Sequence, residues 1–203
     1  MKLPLADLEE ALRNPRAFAR QARGSARGFG PTRYLALRSV ALGFHKTNDI
    51  NAAVEQLENR LKEFKTTRDN DAYVEKLREY VVNFQALGTT VARVRSNIKV
   101  PLPPEYTDLQ ITGQIARLDV DPVGGYRAWL LANKAEKWHD QLRFPLIQSA
   151  CARQLDVDVE EVVPGVYDFS TGTYTVVRSD KARVQRARRR IVDLMDELKG
   201  SKR

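Results

Sequence analysis

The residues of this chain best placed to do chemistry lie in one stretch near its middle. It reads Gln114-Ile115-Ala116-Arg117-Leu118-Asp119, then Asp121-Pro122-Val123-Gly124-Gly125, then Tyr126 to Lys134 as YRAWLLANK. Two alternating runs around a Gly-Gly pair predict a β-hairpin. Side chains alternate across a strand, so Tyr126, Ala128, Leu130, Ala132 and Lys134 share a face. With Val120 opposite Tyr126, Ala116 falls on that same face, diagonal to Ala132. A lysine is thereby grouped with two alanines. Such a lysine can orient a nucleophile or stabilise charge that develops on a phosphate. Alanine offers no oxygen to a metal ion. Asp119 has the opposite parity to Ala116 and should face away, and Asp121 sits in the turn. Gln141 follows on a predicted helix, and His45 lies far upstream on another. Taken singly, Lys134 reads as a strand-end lysine, Gln141 as a helix-surface residue and His45 as a half-buried packing residue. Only their combination carries a chemical reading.

Arginines add two basic clusters. Arg20, Arg23, Arg27, Arg33 and Arg38 flank a Gly-rich segment; Arg183, Arg186, Arg188, Arg189 and Arg190 have no acid among them between Lys181 and Asp193. A charge run on a helix is usually a solvated face. Both clusters also suit a nucleic-acid backbone, and Arg33, Arg38, Arg117, Arg183, Arg186 and Arg190 are the candidates for contacting one. Trp129 and Trp138 read as packing residues, with base stacking by Trp138 the weaker alternative. His139 reads as exposed.

The elements that must position these residues follow from periodicity. Leu5, Leu8 and Leu12 lie on one helical face, and Pro15 suits the first turn of a second short helix containing Phe18. Segment 23–31 reads as a mobile loop. Tyr34, Leu35, Leu37, Val40 and Leu42 mark a mostly buried helix. Asp49 is the expected N-cap of the next, with Ile50, Val54, Leu57, Leu61 and Phe64 at helical spacing. A further helix spans about 71–87 and stops at Gly88. The period then changes to that of strands over 91–100, 109–120 and 126–133. Helix returns over 136–155, with Pro145 as a kink. A second hairpin spans 159–169 and 173–178, and a last helix 180–199. Only 23–31 and 199–203 read as disordered, and no internal repeat is present.

The chain has 203 residues, a hydrophobic fraction of 42% and a net charge of +8 from 34 Lys and Arg against 26 Asp and Glu. That supports one domain with a real core: a helical part over 1–88 and a sheet-containing core over 89–203. The fold class expected is α/β, a central mixed sheet of about five strands flanked by helices. The charge suits a polyanion, nucleic acid before an acidic membrane. The single cysteine, Cys151, excludes an intrachain disulfide and any four-thiolate zinc or iron–sulfur site, and reads as a small core residue. The acidic turn early in MKLPLADLEE does not suit a signal peptide, and no apolar run is long enough to span a membrane, so a cytoplasmic location is expected.

The order of motifs resembles the PD-(D/E)XK nuclease superfamily, most closely its RecB-like exonuclease branch. Gly113-Gln114-Ile115-Ala116-Arg117 matches a glycine, isoleucine and arginine of that pattern, with Ala116 in place of the aspartate. Ala132-Asn133-Lys134 matches the lysine, with Ala132 in place of the acid. Gln141 fits the helix glutamine. Gly43 and His45 resemble a glycine and histidine that members carry in an early helix, where His45 would touch metal. The resemblance covers roughly 32–198. It implies a restriction-endonuclease-like core, Mg²⁺ or Mn²⁺ as cofactor, and DNA cleavage in recombination, repair or phage and host defence. Members of CRISPR adaptation hold an iron–sulfur cluster on four cysteines, which this chain lacks.

The resemblance implies catalytic positions 116, 132, 134 and 141, with metal at 116 and 132 if acids are restored. Hard Mg²⁺ needs carboxylate oxygens, so two alanines should weaken metal binding badly and abolish most of the rate. Three accounts fit: alanines placed deliberately to disable cutting, a natural pseudonuclease that binds or scaffolds without cutting, or Asp119 and Asp121 as ligands in a shifted register. The first is favoured, because restoring both acids gives a well-formed motif and natural decay would more often lose Lys134 and Gln141 too. Expected partners are DNA, and beyond it a helicase or other protein, or a second copy of the chain; no membrane is expected.

Overall fold

The computed structural model describes residues 2–21, 32–66, 69–106 and 110–200. Segment 23–31, with Arg23 and Arg27, and residues 201–203 lie outside the described residues. In order, the elements are β1 (Lys2–Pro4), α1 (Leu8–Arg13), α2 (Pro15–Gln21), α3 (Arg33–Thr47), α4 (Ile50–Leu61), α5 (Asn70–Ala86), β2 (Thr90–Val100), β3 (Gln110–Val120), β4 (Tyr126–Ala132), α6 (Arg143–Leu155), β5 (Val162–Asp168), β6 (Thr173–Val176) and α7 (Lys181–Gly200).

The local signals explain much of this order. Asp49 caps α4, its Oδ1 accepting from the backbone N–H groups of Asn51 and Ala52 at 2.9 and 3.0 Å. Pro15 opens α2, where its missing N–H would be unpaired in any case. The β3–β4 hairpin closes with Val120 opposite Tyr126, as the alternation predicts. Its turn needs two residues at positive φ, and Gly124 and Gly125 supply 94° and 86°.

β3 organises the sheet. β2 runs antiparallel along one of its edges. The other edge is shared: β4 pairs antiparallel over Arg117–Val120, and β1 pairs parallel over Gln110–Thr112. β5 then pairs parallel to β4, and β6 antiparallel to β5. The six-stranded mixed sheet is covered on both faces. Leu37, Phe44, Leu57, Leu77 and Tyr80 of α3, α4 and α5 pack against Tyr167 and Phe169 on one side. Leu8, Leu146, Cys151, Ile191 and Leu198 of α1, α6 and α7 pack against Ile111, Leu118 and Ala128 on the other. The result is an α/β fold consistent with a restriction-endonuclease-like core. No helix among the described residues is long and apolar enough to cross a membrane. Cys151 is buried, and burial pushes its thiol up to about 12.

Four expectations need correction. The sheet is not confined to residues beyond 88, because β1 joins it. Three residues are too few for periodicity to register, and their partner strand is far away in sequence. The helix expected over 136–155 begins only at Arg143, so Gln141 is not helical; a 3-10 turn, Trp138–Asp140, precedes it. Pro145 therefore stands in the first turn of α6, where a missing N–H is harmless, and no kink is needed. β5 is Val162–Asp168, after a 3-10 turn over Val159–Glu161.

Candidate functional site

The shared edge of β3 creates a fork. β4 leaves β3 after the pair Arg117–Trp129, and β1 does not join until Thr112. Between them, residues 113–116 face no strand on that edge. A cleft of about 540 Å³ opens there. Tyr34 and Arg38 reach it from α3, Gln114 from β3, Ala132 and Lys134 from the end of β4, and Arg143 from the start of α6.

Its charge is mostly cationic and partly unspent. Lys134 is exposed in the bend just past β4 and makes no ion pair among the described residues. The Nε atoms of Arg38 and Arg143 are buried without a hydrogen-bond partner. Buried donors without partners cost stability unless something accepts from them. Arg143 also lies over the Trp138 ring at 5.4 Å, and burial pulls its guanidinium below the usual range while Glu136 and Glu9 oppose that fall. Tyr34 is held by a 2.6 Å hydrogen bond to the Leu131 carbonyl, and burial pushes its phenol up, so it serves as a neutral donor.

Of the residues singled out from the sequence, the fork gathers Lys134, Ala132 and Arg38 on its walls. Ala116 lies in the unpaired stretch of β3 but is only 1% exposed and is not part of the cleft lining. The strand is irregular at that point. Ile115 and Leu118, three apart, face one hydrophobic cluster, so the two-residue period breaks between them. Across from Ala116, between the pairs Val94–Arg117 and Ser96–Ile115, Arg95 has φ 57° and donates to the Ser39 hydroxyl at 2.9 Å. Gln141 sits just before α6 and donates from Nε2 to Glu136 at 2.6 Å, while its Oε1 is buried and unpartnered.

Arg117 does not contact nucleic acid: it is 1% exposed. It lies under α3 and α5, donating to Asp119 at 2.7 Å, to the Tyr80 hydroxyl at 2.8 Å and to the Tyr174 hydroxyl at 3.2 Å. Asp119, fully buried, also accepts from Trp129 at 2.8 Å and Thr89 at 3.0 Å. Burial raises its pKa, and Arg117 with these hydrogen bonds opposes the rise. Asp121 is bound by Arg127, and that hydrogen bond with one from the Val123 N–H holds its carboxyl below the usual range. The shifted-register account fails on these contacts. His45 belongs to the same buried network: Tyr80 donates to its Nε2 at 2.7 Å. Burial first and Arg117 second push it down to about 3, so it is neutral, and it is not part of the cleft lining.

The remaining arginines divide. Arg33 ties α3 to the α4–α5 loop through Thr66 and Asn70 and stacks on Phe64 at 5.1 Å. Arg183 donates to the His139 carbonyl. Arg190 is balanced one turn on by Asp193 and two turns on by Glu197, at 4.0 and 3.8 Å, which a count of acids within the run overlooks. Arg186 is exposed and makes no ion pair among the described residues.

Sequence reasoning missed Asp168, which pairs with Ala132 across β4 and β5. It is 2% exposed; its Oδ1 accepts from the Ser170 N–H and hydroxyl at 2.8 and 2.7 Å, and its Oδ2 has no partner. Only the pairing register reveals it. The cleft as it stands does not fit a hard divalent ion. Alanines occupy 116 and 132, Glu136 is engaged by Gln141 and Arg143, and Asp168 is a single carboxylate turned partly into its own loop. Among the described residues no group of three or more His, Cys, Asp or Glu is placed to hold a metal. What the arrangement can do is receive phosphate: fixed cations and an open edge of β3. No family model matches the chain, and no curated protein matches it.

Proposed function

We propose that this chain is a DNA-binding domain on the frame of a RecB-like PD-(D/E)XK nuclease, disabled for cutting by alanines at the two acid positions. The observation that carries the reading is the fork between β3 and β4, where Lys134 and Arg38 stand beside Ala132 with no ion pair among the described residues. Successive phosphates of a DNA backbone laid there accept from Lys134, Arg38 and Arg143. Tyr34, whose one hydroxyl proton goes to the Leu131 carbonyl, walls the site without adding charge. Nothing in the cleft deprotonates water, so the chain holds the backbone and does not break it. Mg²⁺ or Mn²⁺, when held by acids at 116 and 132, would supply charge neutralisation and a hydroxide nucleophile. A role in recombination, repair or defence, alongside a helicase or another partner, follows from the family resemblance.

The test is to install the acids. The double variant Ala116→Asp with Ala132→Glu should digest linear DNA in Mg²⁺ or Mn²⁺, and Lys134→Ala in that background should abolish digestion. Linear, nicked and single-stranded DNA all belong in the assay.

A second reading has one observation in its favour. Ala116 is closed into the strand at 1% exposure, so a small side chain fits the packing as it is. On that reading the chain is a natural pseudonuclease that binds or scaffolds. A double variant that folds and binds DNA but cuts none of the substrates supports it over the first. A parent chain that binds no DNA at low salt ends both.

A further inference from the structure

A second surface lies where β2 ends against α6 and α7. Two adjoining hollows share Pro101, Leu102 and Arg153. The smaller, about 310 Å³, is walled by Leu102, Leu146, Ile191 and Val192 and rimmed by Arg153, Arg188 and Arg189. The larger, about 530 Å³, runs on past Lys99 and Asn97. Among the described residues no carboxylate lines either one. Arg188 is held in place by the Ser149 hydroxyl, at 3.1 and 2.5 Å from Nε and Nη2. Arg153 and Arg189 are exposed and make no hydrogen bond or ion pair among the described residues.

We propose that these hollows dock a short acidic peptide segment of a partner protein, with a bulky apolar side chain seated in the slot and its carboxylates on Arg153 and Arg189. The chemistry of the lining selects this occupant. Guanidinium forks match carboxylates two bonds at a time. An apolar wall gives a sugar–phosphate backbone nothing to bury, whereas a leucine or phenylalanine side chain gains by leaving water there. The Arg188 head needs no further ordering, which lowers the entropic cost of binding. The surface shares no residue with the cleft at the fork, so it stands or falls independently of the nuclease reading.

The experiment is fluorescence anisotropy of the full chain with a labelled hexapeptide of four aspartates followed by leucine and phenylalanine. Two control peptides replace the aspartates by asparagine or the two apolar residues by serine. The complete peptide should bind saturably, and each control about tenfold more weakly, a difference of about 1.4 kcal/mol. Arg153→Glu with Arg189→Glu should weaken the complete peptide at least as much, with circular dichroism unchanged because both positions are exposed. Leu102→Asp should act in the same direction, and Lys134→Ala should leave the affinity as it was. Absence of saturable binding overturns the proposal. So does equal binding of the serine control, which would mark a merely basic surface. A single-stranded oligonucleotide whose binding, rather than the peptide's, is lost in the double Glu variant assigns the surface to nucleic acid and also overturns it.

Discussion

Arg117 and Arg38 both point into the space between the sheet and α3–α5, yet they live in opposite electrostatic worlds. Arg117 is 1% exposed, and each of its guanidinium nitrogens has an acceptor. Its plane lies 4.3 Å from the Phe84 ring centroid. Arg38, at the mouth of the fork, keeps a buried Nε with no acceptor, and Lys134 beside it makes no ion pair among the described residues. The contrast separates charge that holds the fold from charge left over for a ligand. A buried cation whose donors are all met by the protein has no capacity for an outside anion. One whose donors are unmet is either a defect or a binding group.

The sharpest break of that contrast is Arg117→Ala. It leaves Asp119 buried without its cation, a loss on the order of 3–5 kcal/mol. Urea denaturation should show it, while Arg38→Ala stays within about 0.5 kcal/mol of the parent. If the two variants are equally stable, the division drawn here is wrong.

Acid should attack the same network. Arg117 donates to Tyr80, Tyr80 donates to His45, and the imidazole must be neutral to accept. Protonation would place a second cation 3.3 Å from the Arg117 Nη1. The folded value near 3 lies below the ordinary value of 6.5, so the unfolded chain takes up the proton first as pH falls. The contribution is whole above about pH 6.5 and drains away toward pH 3, amounting to about 3 kcal/mol between pH 7.5 and 4.5. Stability measured across that range should fall with a slope approaching one proton. His45→Gln, which keeps an acceptor for Tyr80, should remove most of that slope. A variant with the parent's slope would place the titration elsewhere.

Gly165→Ala probes the packing that keeps Asp119 and Trp129 together. A Cβ at 165 would meet the Trp129 ring and stand 2.8 Å from the Thr175 carbonyl oxygen. Backbone cannot yield as a side chain does, so the loss should be about 2 kcal/mol, read as a lowered thermal midpoint. Gly165, Trp129 and Thr175 do not line the cleft, and DNA binding at low temperature should survive.

How much of this was legible in the sequence depends on the range of each signal. Asp49, Pro15 and Gly88 act on their own neighbours, and the elements they bound lie close to where spacing predicts. The hairpin register follows from the Gly124-Gly125 turn alone. The helices on both faces follow from the apolar stripes. The fork does not, because it depends on Lys2–Pro4 pairing with Gln110–Thr112, a contact no local pattern encodes. Alternation correctly sets Arg117 and Asp119 together, but it tells nothing of which face meets solvent, so it offers Arg117 to nucleic acid although the side chain is buried. The same alternation assumes a regular strand, and at Ala116 the kink opposite Arg95 breaks it. Asp168 became visible only when β5 was laid beside β4.

The smallest effect on stability should be the largest on binding. Lys134→Ala removes an exposed, unpaired lysine, and folding should change by less than about 0.5 kcal/mol. If Lys134, Arg38 and Arg143 each meet a phosphate, affinity for single-stranded DNA should fall with salt at a logarithmic slope of about −2, since each contact contributes about −0.7. Lys134→Ala should then weaken binding at low salt and flatten the slope by about 0.7, and Arg38→Ala should do the same. The two changes act on separate phosphates, so the double variant should be flatter by their sum. A slope that survives both substitutions intact would move the DNA off the fork and onto another basic face, with the exposed Arg186 of α7 the next position to change.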